Sequence, residues 1–318
     1  MHSPPFSSTA AVPGDDEIAF QLLPIIRVYK SGRVERLCGT STIPASFDPT
    51  TNVSSKDIII NSEISARLYI PTTTAASLQK LPILVYFHGG AFLIESAFSP
   101  TYHPHLNNLA SFGQLLAVSI NYRLAPENPL PVAYHDSWAG LQWVISRADP
   151  WLSERGDFSR IYIAGDSAGA NIAHQMAVRA GAEGVKMIKG MALVDAYFWG
   201  EEPVGSEDRD IGFRADMERM WRFLCPGTSG LDDPRMNPVA DAAPGLAGLG
   251  CERVLVVVAE KDVLWSRGKL YYDKLKSSGW SGEVQLIDTP DAEHDFHIFE
   301  PHTEKALAVT KQLAAFFV

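Results

Sequence analysis

From residue 57 onward the chain repeats one pattern, a short run rich in β-branched residues followed by a segment of helical length. The runs are "DIII", "SARLYI", "LPILVYFHG", "LLAVSINY", "RIYIAGD", "IKGMALVD", "RVLVVVAE" and "EVQLID". The later ones are almost unbroken in apolar residues, as strands covered on both faces of a parallel sheet must be. Between them, 131–148, 168–180, 264–279 and 304–317 read as helices. This alternation predicts one α/β layer structure, a mostly parallel central sheet with helices on both faces, rather than two independent domains.

Residues 200–240 break the alternation with Pro, Asp, Trp and Arg, and read as an insertion over the sheet. Open α/β sheets bind their ligands beyond the carboxyl ends of the strands, where such an insertion lies. The expected organisation is a single domain over 1–318. Residues 1–17, rich in Ser, Pro, Ala and Gly, are expected to form a mobile tail. An α-helical cap is expected from 18–50 and about 200–240.

Composition narrows the function. The formal net charge is −10, and no run of Lys or Arg forms a basic stripe, so neither nucleic acid nor an anionic membrane surface is an expected partner. Cys38, Cys225 and Cys251 are far apart with no CxxC pair, which argues against a disulfide framework or a zinc site and for reduced thiols in the cytoplasm. The first twenty residues lack a basic start followed by an apolar core, and no stretch of about 18 apolar residues occurs. Secretion and membrane spanning are therefore not expected.

The strongest local signal is "IYIAGDSAGANIAH", where Gly165, Ser167 and Gly169 form G-x-S-x-G between a strand-like and a helix-like run. Such a turn strains the serine backbone, and small flanking residues let strand and helix pack closely while the hydroxyl stands clear. A second signal is "YFHGGAF", directly after a strand. Its paired glycines allow backbone N–H groups of Gly89 and Gly90, with that of Ala168, to converge on one oxyanion.

A serine hydroxyl is a weak nucleophile and needs a base, itself oriented by a carboxylate. In "VLVVVAEKDVL", Glu260 and Asp262 compete for the acid role. Asp262 is favoured because it lies in the loop ahead of the next helix, where it also suits an N-cap. In "TPDAEHDFHIFE", after the last strand, His294 is the chosen base; His297 competes, but begins the apolar run "HIF" that reads as packed. The order Ser167, Asp262, His294 is that of α/β-hydrolases. Neither histidine has metal-ligand spacing with a third partner, so no metal and no cofactor are expected.

These blocks together resemble the plant carboxylesterase family of the hormone-sensitive-lipase-like α/β-hydrolases, from about Leu22 to the C-terminus. The resemblance rests on "LLPIIRVYKSGRVERL", "YFHGGAF", "NYRLAPENPLPVAYHDSWAGLQWV", "GDSAGANIAH", "EKD" and "EHDF". Ala91 stands where many members have Gly. Within the family, "FLIESAFS" and "FWGEEPVGSE" are similar to 2-hydroxyisoflavanone dehydratases, some of which carry Thr where this chain has Ser167. Gibberellin receptors share the fold but lack a histidine at the base position. The resemblance thus implies an esterase, with a dehydratase and a non-catalytic hormone binder as alternatives.

For an ester substrate, Leu22, Leu23 and Ile25, with Tyr197, Phe198, Trp199, Phe213, Met217 and Trp221, are the expected pocket walls. An apolar, aromatic pocket of this kind suits small-molecule esters better than long-chain lipids. The sequence leaves the oligomeric state open.

Overall fold

The computed structural model describes residues 17–72, 79–205, 207 and 211–318, with backbone alone for Ile211 and Phe213. The expected tail lies outside the described residues except for Glu17, which pairs with Lys30. In chain order the strands are β1 (Ile18–Leu22), β2 (Ile26–Tyr29), β3 (Val34–Arg36), β4 (Phe47–Asp48), β5 (Val53–Ile59), β6 (Ser65–Pro71), β7 (Leu81–Phe87), β8 (Leu116–Asn121), β9 (Gly156–Asp166), β10 (Ile188–Val194), β11 (Cys251–Ala259) and β12 (Glu283–Thr289). The helices are α1 (Tyr102–Gly113), α2 (Val132–Ile145), α3 (Pro150–Arg155), α4 (Ala168–Glu183), α5 (Ile211–Leu224), α6 (Trp265–Ser277), α7 (Phe296–Phe299) and α8 (Glu304–Phe316). The four segments read as helical are α2, α4, α6 and α8.

Nine strands form the central sheet in the order β12-β11-β10-β9-β7-β8-β6-β5-β4. β7 to β12 are mutually parallel, and β6, β5 and β4 extend one edge antiparallel. Along β7, Leu81, Ile83, Val85 and Phe87 enter one apolar layer while Leu84 and Tyr86 enter the other. Along β11 the split is Val254, Val256 and Val258 against Leu255, Val257 and Ala259. Successive side chains alternate between faces, and both faces are covered, so the strands read as unbroken apolar runs. Residues of α2, α4 and α6 complete the first layer, and those of α1, α7 and α8 the second.

The N-terminal half of the cap corrects an expectation. It is not helical: β1, β2 and β3 make a separate antiparallel sheet. The chain reverses twice within 18–36, once where Ile25 N–H donates to Leu22 O and again at Gly32, whose φ is +86°. That leaves runs of three to five residues, too short for a stable helix. The small sheet is fastened over the strand ends: Phe20 stacks on Phe223 of α5 with ring centroids 3.8 Å apart. Arg36 Nε donates to Leu93 O at 2.6 Å, and Nη2 to Ala125 O at 3.0 Å. The second half of the cap contains the helix α5, as expected, and the loop before it is tied to α6 by a buried two-pronged pair, Arg267 to Glu207, at 2.7 Å on each prong. No helix among the described residues is long and apolar enough to cross a membrane.

Candidate active site

Parallel strands all end on one side, and the loops there carry the chemistry. Ser167 occupies the single position between β9 and α4 with φ 47° and ψ −116°, a region that side-chain-bearing residues rarely adopt. The conformation is held from three directions. Ser167 N–H donates to Val194 O at 2.9 Å, and Ser167 O accepts from Asn171 N–H at 3.1 Å and Tyr197 N–H at 3.0 Å. The small flanking residues are required by contact: a β-carbon on Gly165 would lie 2.3 Å from the carbonyl carbon of Gly169.

The loop after β11 supplies Asp262, and the loop after β12 supplies His294. Asp262 Oδ2 lies 2.7 Å from His294 Nδ1, while its Oδ1 accepts from Leu264 N–H at 3.0 Å, so the carboxylate also holds the turn into α6. Glu260, the competing acid, accepts from Asp291 N–H and faces away. His297, the competing base, is buried on α7 with its ring edge-on to His105, centroids 5.1 Å apart. Burial first, and then His105 and His294, push its pKa well below the ordinary histidine value.

His294 does not hydrogen-bond Ser167 in this structure. Its Nε2 lies 3.1 Å from Asp295 Oδ2 instead. Burial disfavours the charged ring, but the Asp295 charge and the hydrogen bonds to Asp262 and Asp295 outweigh it and hold the His294 pKa well above the usual value. Asp195, at the end of β10, accepts from Asp295 N–H through Oδ2 at 3.0 Å. Burial, and then the charge of Asp295, push the pKa values of both Asp195 and Asp166 well above the carboxylate range.

The expected set of oxyanion donors needs one correction. Gly89 N–H is already engaged, donating to Tyr102 Oη at 2.8 Å, and Tyr102 Oη in turn donates to Asp166 Oδ2 at 2.6 Å. Asp166 also accepts from Tyr86 Oη at 2.7 Å. No acceptor among the described residues takes the N–H of Gly90, Ala91 or Ala168. Gly90, at φ +94°, turns the loop so tightly that a β-carbon would meet Ile94 O at 2.4 Å. Ala91, which sequence reasoning passed over as a donor, lines the cavity beside Ser167.

That cavity has a volume of about 570 Å³. Ser167, His294 and Asp262 border it, and of the expected walls so do Leu22, Leu23, Ile25, Tyr197 and Met217. Three expected walls are core residues instead. Phe198 stacks on Tyr271, Trp221 donates from Nε1 to Thr228 Oγ1 at 2.7 Å, and Trp199 lies under the guanidinium of Arg267. Aromatic content alone does not separate a wall from a core contact, because both exclude water. The side chain of Phe213 lies outside the described residues. Met220, Val263 and Leu264 were missed as walls, and Asp216, Lys261 and Glu293 add charge to an otherwise apolar lining.

A family model described as alpha/beta hydrolase fold matches residues 84–298. "Probable carboxylesterase 2" of Arabidopsis thaliana is 46% identical over 303 residues, 94% of this chain and 96% of its own. "2-hydroxyisoflavanone dehydratase" of Glycyrrhiza echinata is 47% identical over 328 residues, 98% of this chain and all of its own. Among solved structures, the Pyrobaculum calidifontis esterase superimposes with a TM-score of 0.70 at 29% identity, covering 83% of this chain and 84% of that one.

Proposed function

The chain belongs to the plant carboxylesterase family of α/β-hydrolases, and we propose that it hydrolyses small carboxylic esters through Ser167, His294 and Asp262. The observation that carries this reading is that a strained serine and an aspartate-paired histidine, 2.7 Å from Asp262, open onto one apolar cavity. His294 Nε2 takes the proton of Ser167 as Oγ attacks the ester carbonyl, and Asp262 stabilises the resulting imidazolium. The N–H groups of Gly90, Ala91 and Ala168, which no described acceptor takes, serve as the oxyanion donors, each contributing about 3 kcal/mol in sites of this type. The imidazolium then protonates the leaving alcohol, and water hydrolyses the acyl-enzyme with His294 again as base. The single domain with its two-part cap belongs to this proposal, as does a cytoplasmic location, with which the unpaired thiols of Cys38, Cys225 and Cys251 agree.

A second reading, a dehydratase-like lyase, is favoured by the likeness to the 2-hydroxyisoflavanone dehydratase, which is as high as that to the carboxylesterase. Hydrolysis of p-nitrophenyl acetate and butyrate by wild type, Ser167→Ala and His294→Ala tests the first reading. Both variants are expected to lose at least about 10⁴-fold in kcat. Wild type inert towards esters but active in water elimination from a 2-hydroxyisoflavanone would replace it with the second.

A further inference from the structure

His294 is flanked by two carboxylates. Nδ1 lies 2.7 Å from Asp262 Oδ2, and Nε2 lies 3.1 Å from Asp295 Oδ2. A carboxylate oxygen only accepts, and a neutral imidazole has a single N–H. A bare ring nitrogen and a carboxylate oxygen repel each other, so the two contacts favour a proton on each nitrogen, an imidazolium between two carboxylates. In that form Nε2 has no lone pair to offer Ser167.

The backbone of Asp295 is fixed on both sides, whereas the ring of His294 is held through Nδ1, by Asp262. Asp295 sits at φ +52°, its N–H donates to Asp195 Oδ2 at 3.0 Å, and its carbonyl accepts from Ile298 N–H at 2.8 Å. His294 is only half-buried and borders two cavities, of about 570 and 380 Å³, so its ring has room to turn.

We propose that Asp295 is a positioning residue that competes with Ser167 for Nε2 of His294, holding the ring off the nucleophile until the shared proton leaves. The inference rests on the reading of His294 as the base. The step is a simple dissociation: the Nε2–H bond breaks, the electron pair stays on nitrogen, and water in the cavity carries the proton to buffer. The bare lone pair then opposes the lone pairs of Asp295, and the ring turns to accept the Ser167 hydroxyl. The groups around His294 are Asp262 and Lys261 after β11, Asp195 after β10, Asp166 at the end of β9, Asp216 of α5 across the cavity, Glu293 beside it and His297 on α7. The carboxylate in contact with Nε2 is that of Asp295, at 3.1 Å.

The test is the pH dependence of kcat/KM for p-nitrophenyl acetate in wild type, Asp295→Asn and Asp295→Gly. Glycine suits the positive φ and guards against misfolding of the asparagine variant. Without the carboxylate, the acid limb is expected to move down by about 1 pH unit or more in both variants. An unmoved acid limb in either folded variant overturns the proposal. Ser167→Ala and His294→Ala are assayed alongside. If they remain active, the triad reading itself fails; if they are inactive and the limb stays put, only the role of Asp295 does.

Discussion

Gly169 lies so close to Phe87 that a β-carbon on it would stand 1.9 Å from the Phe87 carbonyl oxygen. The contact joins the first turn of α4 to the end of β7, and so fixes the serine elbow against the loop of Gly89 and Gly90. Neither neighbour can yield, because the atom opposed is backbone.

Gly169→Ala is accordingly expected to cost more than about 3 kcal/mol of unfolding free energy, measured by urea denaturation. Gly227→Ala is the control. A β-carbon there meets nothing within 4 Å, and the change should stay within about 0.5 kcal/mol. Equal stability of the two variants would mean that strand and helix are not in contact at the elbow.

Tyr102 links the loop of Gly89 and Gly90 to the floor of the site, accepting from Gly89 N–H and donating to Asp166. Tyr102→Phe leaves a buried N–H and one carboxylate oxygen short of a partner, a loss of about 1–3 kcal/mol in stability. Because Gly90 and Ala91 follow directly, the shifted loop should lower kcat about tenfold with little change in KM, the mark of an interaction made in the transition state. A change confined to KM would place the loop in substrate binding instead.

Arg36 bears on the cap rather than the chemistry. It spans the small sheet and the loops below, with Leu93 O and Ala125 O as acceptors and a two-pronged pair to Glu127. Leu22, Leu23 and Ile25 of the same segment wall the cavity. Arg36→Ala should therefore raise KM severalfold for p-nitrophenyl butyrate while leaving kcat within about a factor of two. A fall in kcat at constant KM would be the contrary result.

The parts of this molecule that were legible in the sequence are those where one residue type answers one local demand. The apolar runs of β7 to β11 could only be strands covered twice, and G-x-S-x-G between a strand and a helix has few other uses. Asp262 was separable from Glu260 by its place in the loop, two residues beyond. Where several residues serve the same purpose, the sequence was silent. Tyr197 borders the cavity while its neighbours Phe198 and Trp199 enter the core, a distinction set by the path of the chain after β10 and not by side-chain type. Gly89 and Gly90 look equivalent in "HGGA", yet the N–H of one is taken by Tyr102, thirteen residues on. Asp295 adjoins His294 in sequence, but that its carboxylate meets Nε2 is a matter of the turn of the chain there, where its φ is +52°.

His105 offers a last, independent test through stability. It is 1% exposed, and neither ring nitrogen has a partner among the described residues, so it packs as an aromatic ring against Tyr86 and His297. Burial pushes its pKa down to about 3 from 6.5. Between those values the unfolded chain binds a proton that the native ring refuses, so the contribution of His105 is present above pH 6.5 and is lost as pH falls toward 3. Phenylalanine keeps the ring and has nothing to titrate. The raised acids Asp166 and Asp195 act in the opposite sense, but they are common to both proteins and cancel in the difference. His105→Phe should therefore gain on wild type by about 1.4 kcal/mol for each pH unit below 6.5, or about 2 kcal/mol at pH 5 relative to pH 7. Urea titrations at the two pH values measure this directly. A difference between the proteins that stays constant would mean that the native ring takes up its proton as readily as the unfolded chain, and hence that its nitrogens are not sealed in the core.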